Sequence, residues 1–142
     1  MAVSATTYVE LHVTSHFSFL RGASSPEELF AAGALLGHEA LGLADWGSVA
    51  GVVRGWDGQK ATGCRMIPGA RIETREGHVL LLYPTDRQAW SRLTRLLTIG
   101  KARGGKGCCL LDLADVANHA DDMVGILVPD MADGVTSRQL AD

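Results

Sequence analysis

The sequence predicts an α/β fold, with a largely parallel sheet and helices packed outside it. Short apolar runs of strand length alternate with longer stretches of helical character. The helical stretches open on capping chemistry, and single glycines, 17 among 142 residues, punctuate the changeovers.

Taken in order, Tyr8–Val13 reads as a first strand, rich in β-branched and aromatic residues, and Thr14–Ser24 as a polar loop. Ser25-Pro26-Glu27-Glu28 starts a helix: Ser is the N-cap, Pro the first helical position, and Glu28 the reciprocal member of a capping box. This helix runs to about Leu36 and Gly37 ends it. Ala40–Ala44 is a short apolar run of the buried parallel type. Asp45-Trp46-Gly47-Ser48 leads into a second helix, from about Val49 to Lys60. Met66–Ile72 is a third strand interrupted by Pro68 and Gly69, Glu73–Gly77 a turn, and His78–Tyr83 a fourth strand. Thr85 caps a helix through about Ile99, with Gln88 at the capping-box position and Trp90, Leu93, Leu96 and Leu97 on its apolar face. A basic, glycine-rich loop follows at Lys101–Gly107, then a helix at Leu113–Ala120, a fifth strand at Met123–Val128 and the start of another helix at Thr136–Leu140.

The length fits one domain able to bury a core. A composition of 46% hydrophobic and 20% charged residues is that of a soluble globular protein. Apolar runs such as Val79–Tyr83 are too short to cross a bilayer, and the N-terminus lacks secretory-signal character, so a cytoplasmic protein with no membrane partner is expected. The three cysteines, Cys64, Cys108 and Cys109, form neither a disulfide framework nor a zinc spacing and are read as reduced thiols. A net charge of −3 gives no general attraction to nucleic acid. The charge is uneven, however: Arg87, Arg92, Arg95, Lys101, Arg103 and Lys106 follow one another with no acid between them, and the later part of the chain is rich in Asp. This basic run reads either as the solvated face of a helix and its loop, or as a contact surface for DNA phosphates or another protein domain. Gly104-Gly105-Lys106-Gly107 lacks the spacing and the terminal Ser or Thr of a P-loop.

Polar residues gather where strands end: His12, Thr14, Ser15, His16, Asp45, Trp46 and Ser48. In parallel α/β folds that edge is where ligands bind. Three stretches there, Leu11-His-Val-Thr-Ser-His-Phe-Ser-Phe-Leu-Arg-Gly-Ala23, Ala40-Leu-Gly-Leu-Ala-Asp-Trp-Gly-Ser-Val-Ala-Gly-Val52 and Ile67-Pro-Gly-Ala-Arg-Ile72, resemble the PHP (polymerase and histidinol phosphatase) domain. The resemblance is closest to the N-terminal region of bacterial DNA polymerase III alpha subunits of the error-prone branch, and it covers Tyr8 to Pro129. It implies part of a distorted seven-stranded βα barrel, with about five strands in this chain and the polymerase domains absent from it. The chain is expected to be either an excised fragment or a truncated reading frame.

The resemblance also implies a site. Active members hold divalent metals such as zinc or manganese in clustered His, Asp and Glu side chains and use them for phosphoester hydrolysis. By resemblance His12, Asp45 and His78 are remnants of that ligand set. Thr14, Arg21, Trp46 and Arg71 replace the expected second His, an Asp, a further His and a Glu. A hydroxyl is a weak donor, and two permanently charged guanidiniums oppose a cation, so no cofactor and no catalysis by this segment are expected. His12 is then read as a hydrogen-bonded core histidine, and His16 as a solvated loop residue. Asp45 is read as an acceptor of backbone or hydroxyl hydrogen bonds that helps start the next helix, and Trp46 as filler of the space the metals vacated. The reverse reading makes Arg21, Arg71, His12 and His16 an anion pocket. The function implied is a non-catalytic PHP module of an error-prone polymerase, serving DNA replication or translesion synthesis. Its partners would be the rest of the polymerase polypeptide, DNA and other mutagenesis proteins. The competing functions are a stand-alone metal-dependent phosphoesterase or nuclease, and a small DNA- or protein-binding module.

Overall fold

The computed structural model describes residues 8–129. The elements are β1 (Glu10–Val13), α1 (Pro26–Leu35), β2 (Ala40–Trp46), α2 (Val52–Thr62), β3 (Arg65–Glu73), β4 (Val79–Pro84), α3 (Arg87–Gly104), α4 (Leu113–Ala117) and β5 (Met123–Val128). The five strands lie in one sheet in chain order, so the α/β class holds. The expected helix at Thr136–Leu140 lies outside the described residues. By internal packing the chain divides into two compact units, with the boundary between Ala70 and Arg71 inside β3.

In the first unit β1 pairs with β2 in parallel, Glu10 opposite Leu41 and Val13 opposite Leu43, with a register shift between them. Residues 40–45 of β2 are all buried, the pattern of a parallel strand covered on both faces. The connecting helix α1 begins as the sequence predicts: the Ser25 hydroxyl accepts from the Glu28 amide, and the Glu28 carboxylate accepts from the Ser25 amide. It ends in a Schellman arrangement, with Gly37 at φ +80° and the His38 amide donating to Gly33 O at 2.9 Å. Phe30, Leu41, Leu43 and Cys64 form the core, with Val13, Leu29 and Met66 packed on it. Helix α2 approaches this core through Gly55 and Gly58, where a Cβ would meet Met66 Sδ at 2.7 Å and Phe30 Cβ at 3.0 Å respectively.

In the second unit β4 and β5 are antiparallel, from Val79 opposite Val128 to Pro84 opposite Met123. This pair departs from the largely parallel expectation, which β1 and β2 meet. A single helix between strands returns the chain to the start of the sheet and makes the next strand parallel. Here the chain leaves β4 along the 18 residues of α3 and comes back through a loop and α4. It re-enters beside its exit, where the Thr85 amide and hydroxyl both donate to Asp122 O, at 3.0 and 2.7 Å. Thr85 is therefore committed to this closure, and the helix cap is Asp86, whose carboxylate accepts from the Ala89 amide. Helix α3 also runs past Ile99 to Gly104, so Lys101 and Arg103 are helical. Its buried face is Ala89, Leu93, Leu96, Leu97 and Gly100, with Trp90 half-buried beside it. Pro68 and Gly69 do not interrupt β3.

All three cysteines are free: Cys64 is buried, Cys109 half-buried and Cys108 exposed. No helix among the described residues is long and apolar enough to cross a membrane.

Candidate functional site

Because β1 and β2 are parallel, their C-terminal ends meet at one edge, and the 14–24 loop closes over it. The loop is a tight, hydrogen-bonded turn: Ser18 N–H donates to Ser15 O at 3.0 Å, the Arg21 and Gly22 amides both donate to Ser18 O, and His16 N–H donates to Ser24 O at 2.9 Å. A Cβ on Gly22 would lie 2.1 Å from Ser15 O, so no side chain fits at that position.

The turn aims two hydroxyls at one carboxylate. Asp45 Oδ1 accepts from Ser15 N–H at 2.9 Å and from Ser18 Oγ at 2.7 Å. The Ser15 hydroxyl is shared between Oδ1 at 2.9 Å and Oδ2 at 3.0 Å. Both hydroxyls also accept, Ser15 Oγ from the Phe17 amide at 3.2 Å and Ser18 Oγ from the Trp46 amide at 3.0 Å. Asp45 is 1% exposed, Ser15 0% and Ser18 3%, so the carboxylate is spent inside the fold. Asp45 thus accepts from backbone and hydroxyl donors as the sequence suggests. It does not cap the next helix, whose N-cap is Gly51 with no side-chain bond.

Above this knot the Arg21 guanidinium stacks on the Trp46 indole, 3.6 Å from the ring centroid. Thr14 Oγ1 donates weakly to Ala44 O at 3.4 Å. His12 is exposed on β1, which overturns its reading as a core histidine: alternation along the strand sends His12 to the open face. Its amide donates to Glu10 Oε1 at 2.8 Å, while Glu10 Oε2 accepts from the Tyr8 hydroxyl at 2.7 Å. The Tyr8 hydroxyl holds the Glu10 carboxyl below the usual glutamate range, aided by the His12 amide and the nearby imidazoles and against some desolvation. His16 is half-buried, its ring stacked on Phe17 at 4.6 Å rather than solvated. In the second unit Arg71 is half-buried on β3. His78 is exposed at the turn before β4, its amide donating to Thr74 Oγ1 at 3.2 Å.

These residues do not fit a polynuclear metal centre. Among the described residues no three His, Cys, Asp or Glu side chains are grouped to hold an ion. Asp45, a carboxylate at the strand end, has its lone pairs taken by serines, and a guanidinium lies against the neighbouring ring. Ser15 and Ser18 as Asp45's partners were not legible in the sequence, since they stand 30 and 27 positions away from it.

The basic run proves mixed. Arg92 Nε and Nη2 donate to Asp121 O at 3.0 and 2.7 Å, and Nη2 also meets the Asp122 carboxylate at 2.7 Å. Arg103 makes a two-pronged pair with Asp115. That guanidinium is the main reason the Asp115 carboxyl sits below the usual aspartate range, with the Asp112 amide second. Arg87, Arg95, Lys101 and Lys106 are exposed. The pairing acids come from the Asp-rich stretch that follows the run.

Comparison with known proteins places this architecture. The PHP domain sequence profile matches residues 10–132. The chain belongs to the PHP domain family. It is 56% identical over 133 residues to error-prone DNA polymerase 2 of Rhizobium meliloti (strain 1021), covering 94% of this chain and 12% of that protein. It is 53% identical over 139 residues to error-prone DNA polymerase 3 of Agrobacterium fabrum, covering 96% of the chain and 13% of the relative. The chain therefore spans about an eighth of the length of these polymerase relatives. Among solved structures, a protein described as a metal-dependent phosphoesterase, from Bifidobacterium adolescentis, superposes with a TM-score of 0.58 at 18% identity, over 70% of this chain and 35% of that one. That likeness is one of fold alone.

Proposed function

We propose that this chain is the PHP region of an error-prone DNA polymerase polypeptide and that it supports the polymerase structurally, without catalysing a reaction itself. One observation carries the non-catalytic part: the Asp45 carboxylate is buried and fully engaged by Ser15 and Ser18. The high identity to polymerases across nearly the whole chain supports the parentage. In this reading the region serves translesion synthesis during DNA repair in the bacterial cytoplasm. It works through contact with the remainder of the polymerase, with DNA, and with other mutagenesis proteins. The single-domain boundary, residues 1–142, belongs to the same proposal.

Metal analysis and phosphatase assay of the purified chain test the role. After incubation with zinc or manganese and exhaustive dialysis, the expected result is no stoichiometric metal and no hydrolysis of a phosphate monoester. Retained metal and hydrolysis that both disappear in His12→Ala would overturn it. Such a result would favour the second reading, a metal-dependent phosphoesterase, for which the exposure of His12 is the specific observation.

A further inference from the structure

In the second unit a cleft of about 400 Å³ opens between one face of α3 and the turn after α4, lined by Gln88, Ser91, Arg92, Arg95, Asn118 and His119. Its chemistry is one-sided. Gln88, Ser91, Arg92, Arg95 and Asn118 can each donate a hydrogen bond, and no lining side chain is a carboxylate. Gln88, Ser91 or Arg92, and Arg95 recur at helical spacing, so they share a face. Two of the groups are fixed in place: Arg92 is clamped by Asp121 O and Asp122, and His119 is oriented by the 2.8 Å contact of its Nδ1 with Asp115 O. Asp115 is itself held by Arg103 and by the Asp112 amide at 2.9 Å. Because the Asp115 carbonyl can only accept, Nδ1 carries the proton, and the neutral ring serves the cleft as an oriented wall. Arg95 is exposed, and no described carboxylate pairs with it.

We propose that this cleft binds a phosphate group of a nucleic-acid strand, with Arg95 as its charged anchor, Gln88, Ser91 and Asn118 as neutral donors, and Arg92 and His119 as pre-oriented walls. A tetrahedral anion has several acceptor oxygens and no donor, so it suits a cleft that holds the Arg95 charge, further donors and no carboxylate. The assignment of the phosphate to nucleic acid rests on the polymerase reading; the phosphate chemistry does not.

Fluorescence anisotropy of the 142-residue chain with a short labelled single-stranded oligonucleotide at low salt tests the site. Arg95→Gln is expected to weaken binding about five- to tenfold and to lower the salt slope by about 1. Arg65→Gln removes the same charge from an exposed position in the first unit and is expected to leave binding unchanged. Equal losses in the two variants, or no binding by the parent chain, would overturn the proposal. In parallel, inorganic phosphate and a nucleoside monophosphate are titrated while amide resonances of 88–95 and 118–119 are followed. Movement with these ligands, without oligonucleotide binding, would overturn the strand assignment and make the cleft a site for small phosphates. The metal-retention outcome above does not bear on any of these results.

Discussion

At the end of β2 a carboxylate is turned inward and surrounded by donors from its own chain, whereas along α3 guanidiniums and amides are turned outward. In the first region Asp45 accepts from the Ser15 amide and from the Ser15 and Ser18 hydroxyls. In the second, Arg92 and Arg103 are tied to Asp122 and Asp115, while Arg95 keeps its charge for solvent. A family-typical position therefore need not mark the place where a chain still meets ligands. Asp45 stands at the strand edge where ligands bind in such folds, yet its carboxylate is absorbed into the fold. The α3 face, outside the family's metal ligands, offers the uncommitted donors.

The sharpest way to break this contrast is Asp45→Ala. It leaves the Ser15 amide and two buried hydroxyls without their acceptor, at about 1–3 kcal/mol each, partly offset by relaxation. A net loss of about 3–5 kcal/mol is expected from denaturant midpoints at constant slope. A loss below about 1 kcal/mol would mean that the knot is not a stabilising unit. Next, Gly22→Ala forces a methyl onto the Ser15 carbonyl and should cost about 1–3 kcal/mol by the same measurement, the range typical of overpacking. If it were neutral, the turn that aims the hydroxyls would be softer than described. Arg21→Ala removes the stacked guanidinium from Trp46 at an exposed site and should cost only about 0.5–1 kcal/mol, with altered indole fluorescence as a second readout.

The smallest effect belongs to the α3 side. The Asp115 carboxyl titrates lower in the folded chain than in the unfolded one, because Arg103 favours its charged form. The pair therefore stabilises the fold above the ordinary aspartate pKa of about 3.9. That contribution is lost as pH falls through the lowered folded value. Stability curves of Asp115→Asn should be flatter on the acid side below about pH 4 and otherwise nearly parallel to those of the parent. An unchanged acid limb would assign the acid sensitivity elsewhere, with Glu10 the next group to test.

Local signals were legible wherever local chemistry decided the outcome. Ser25, Pro26 and Glu28 declare the start of α1, and Gly37 its end. Signals failed where a distant partner decided. Thr85 and Asp86 are both good caps, and only the pull of Asp122 on Thr85 selects Asp86. Gly100 suggests a helix end near Ile99. The helix continues because that glycine admits the Cys109 thiol and Leu111, where a Cβ would come within 2.5 and 2.8 Å. The antiparallel β5 follows from a round trip through two helices, and α3 alone does not announce that return. At the candidate site the sequence suggests Asp45 as an acceptor of backbone and hydroxyl hydrogen bonds, and it is one. Its serine partners were not legible, because the knot joins residues far apart in the chain.

The unequal burial of the three cysteines also provides a chemical handle. Burial pushes the Cys64 and Cys109 thiols up from their usual range, which suppresses the reactive thiolate, while Cys108 stands exposed just beyond the end of α3. A maleimide dye at neutral pH is expected to mark Cys108 first, as peptide mass mapping would verify. The native chain would then carry a reporter in the loop that follows the helix bearing Arg95, with no cysteine engineered in or out.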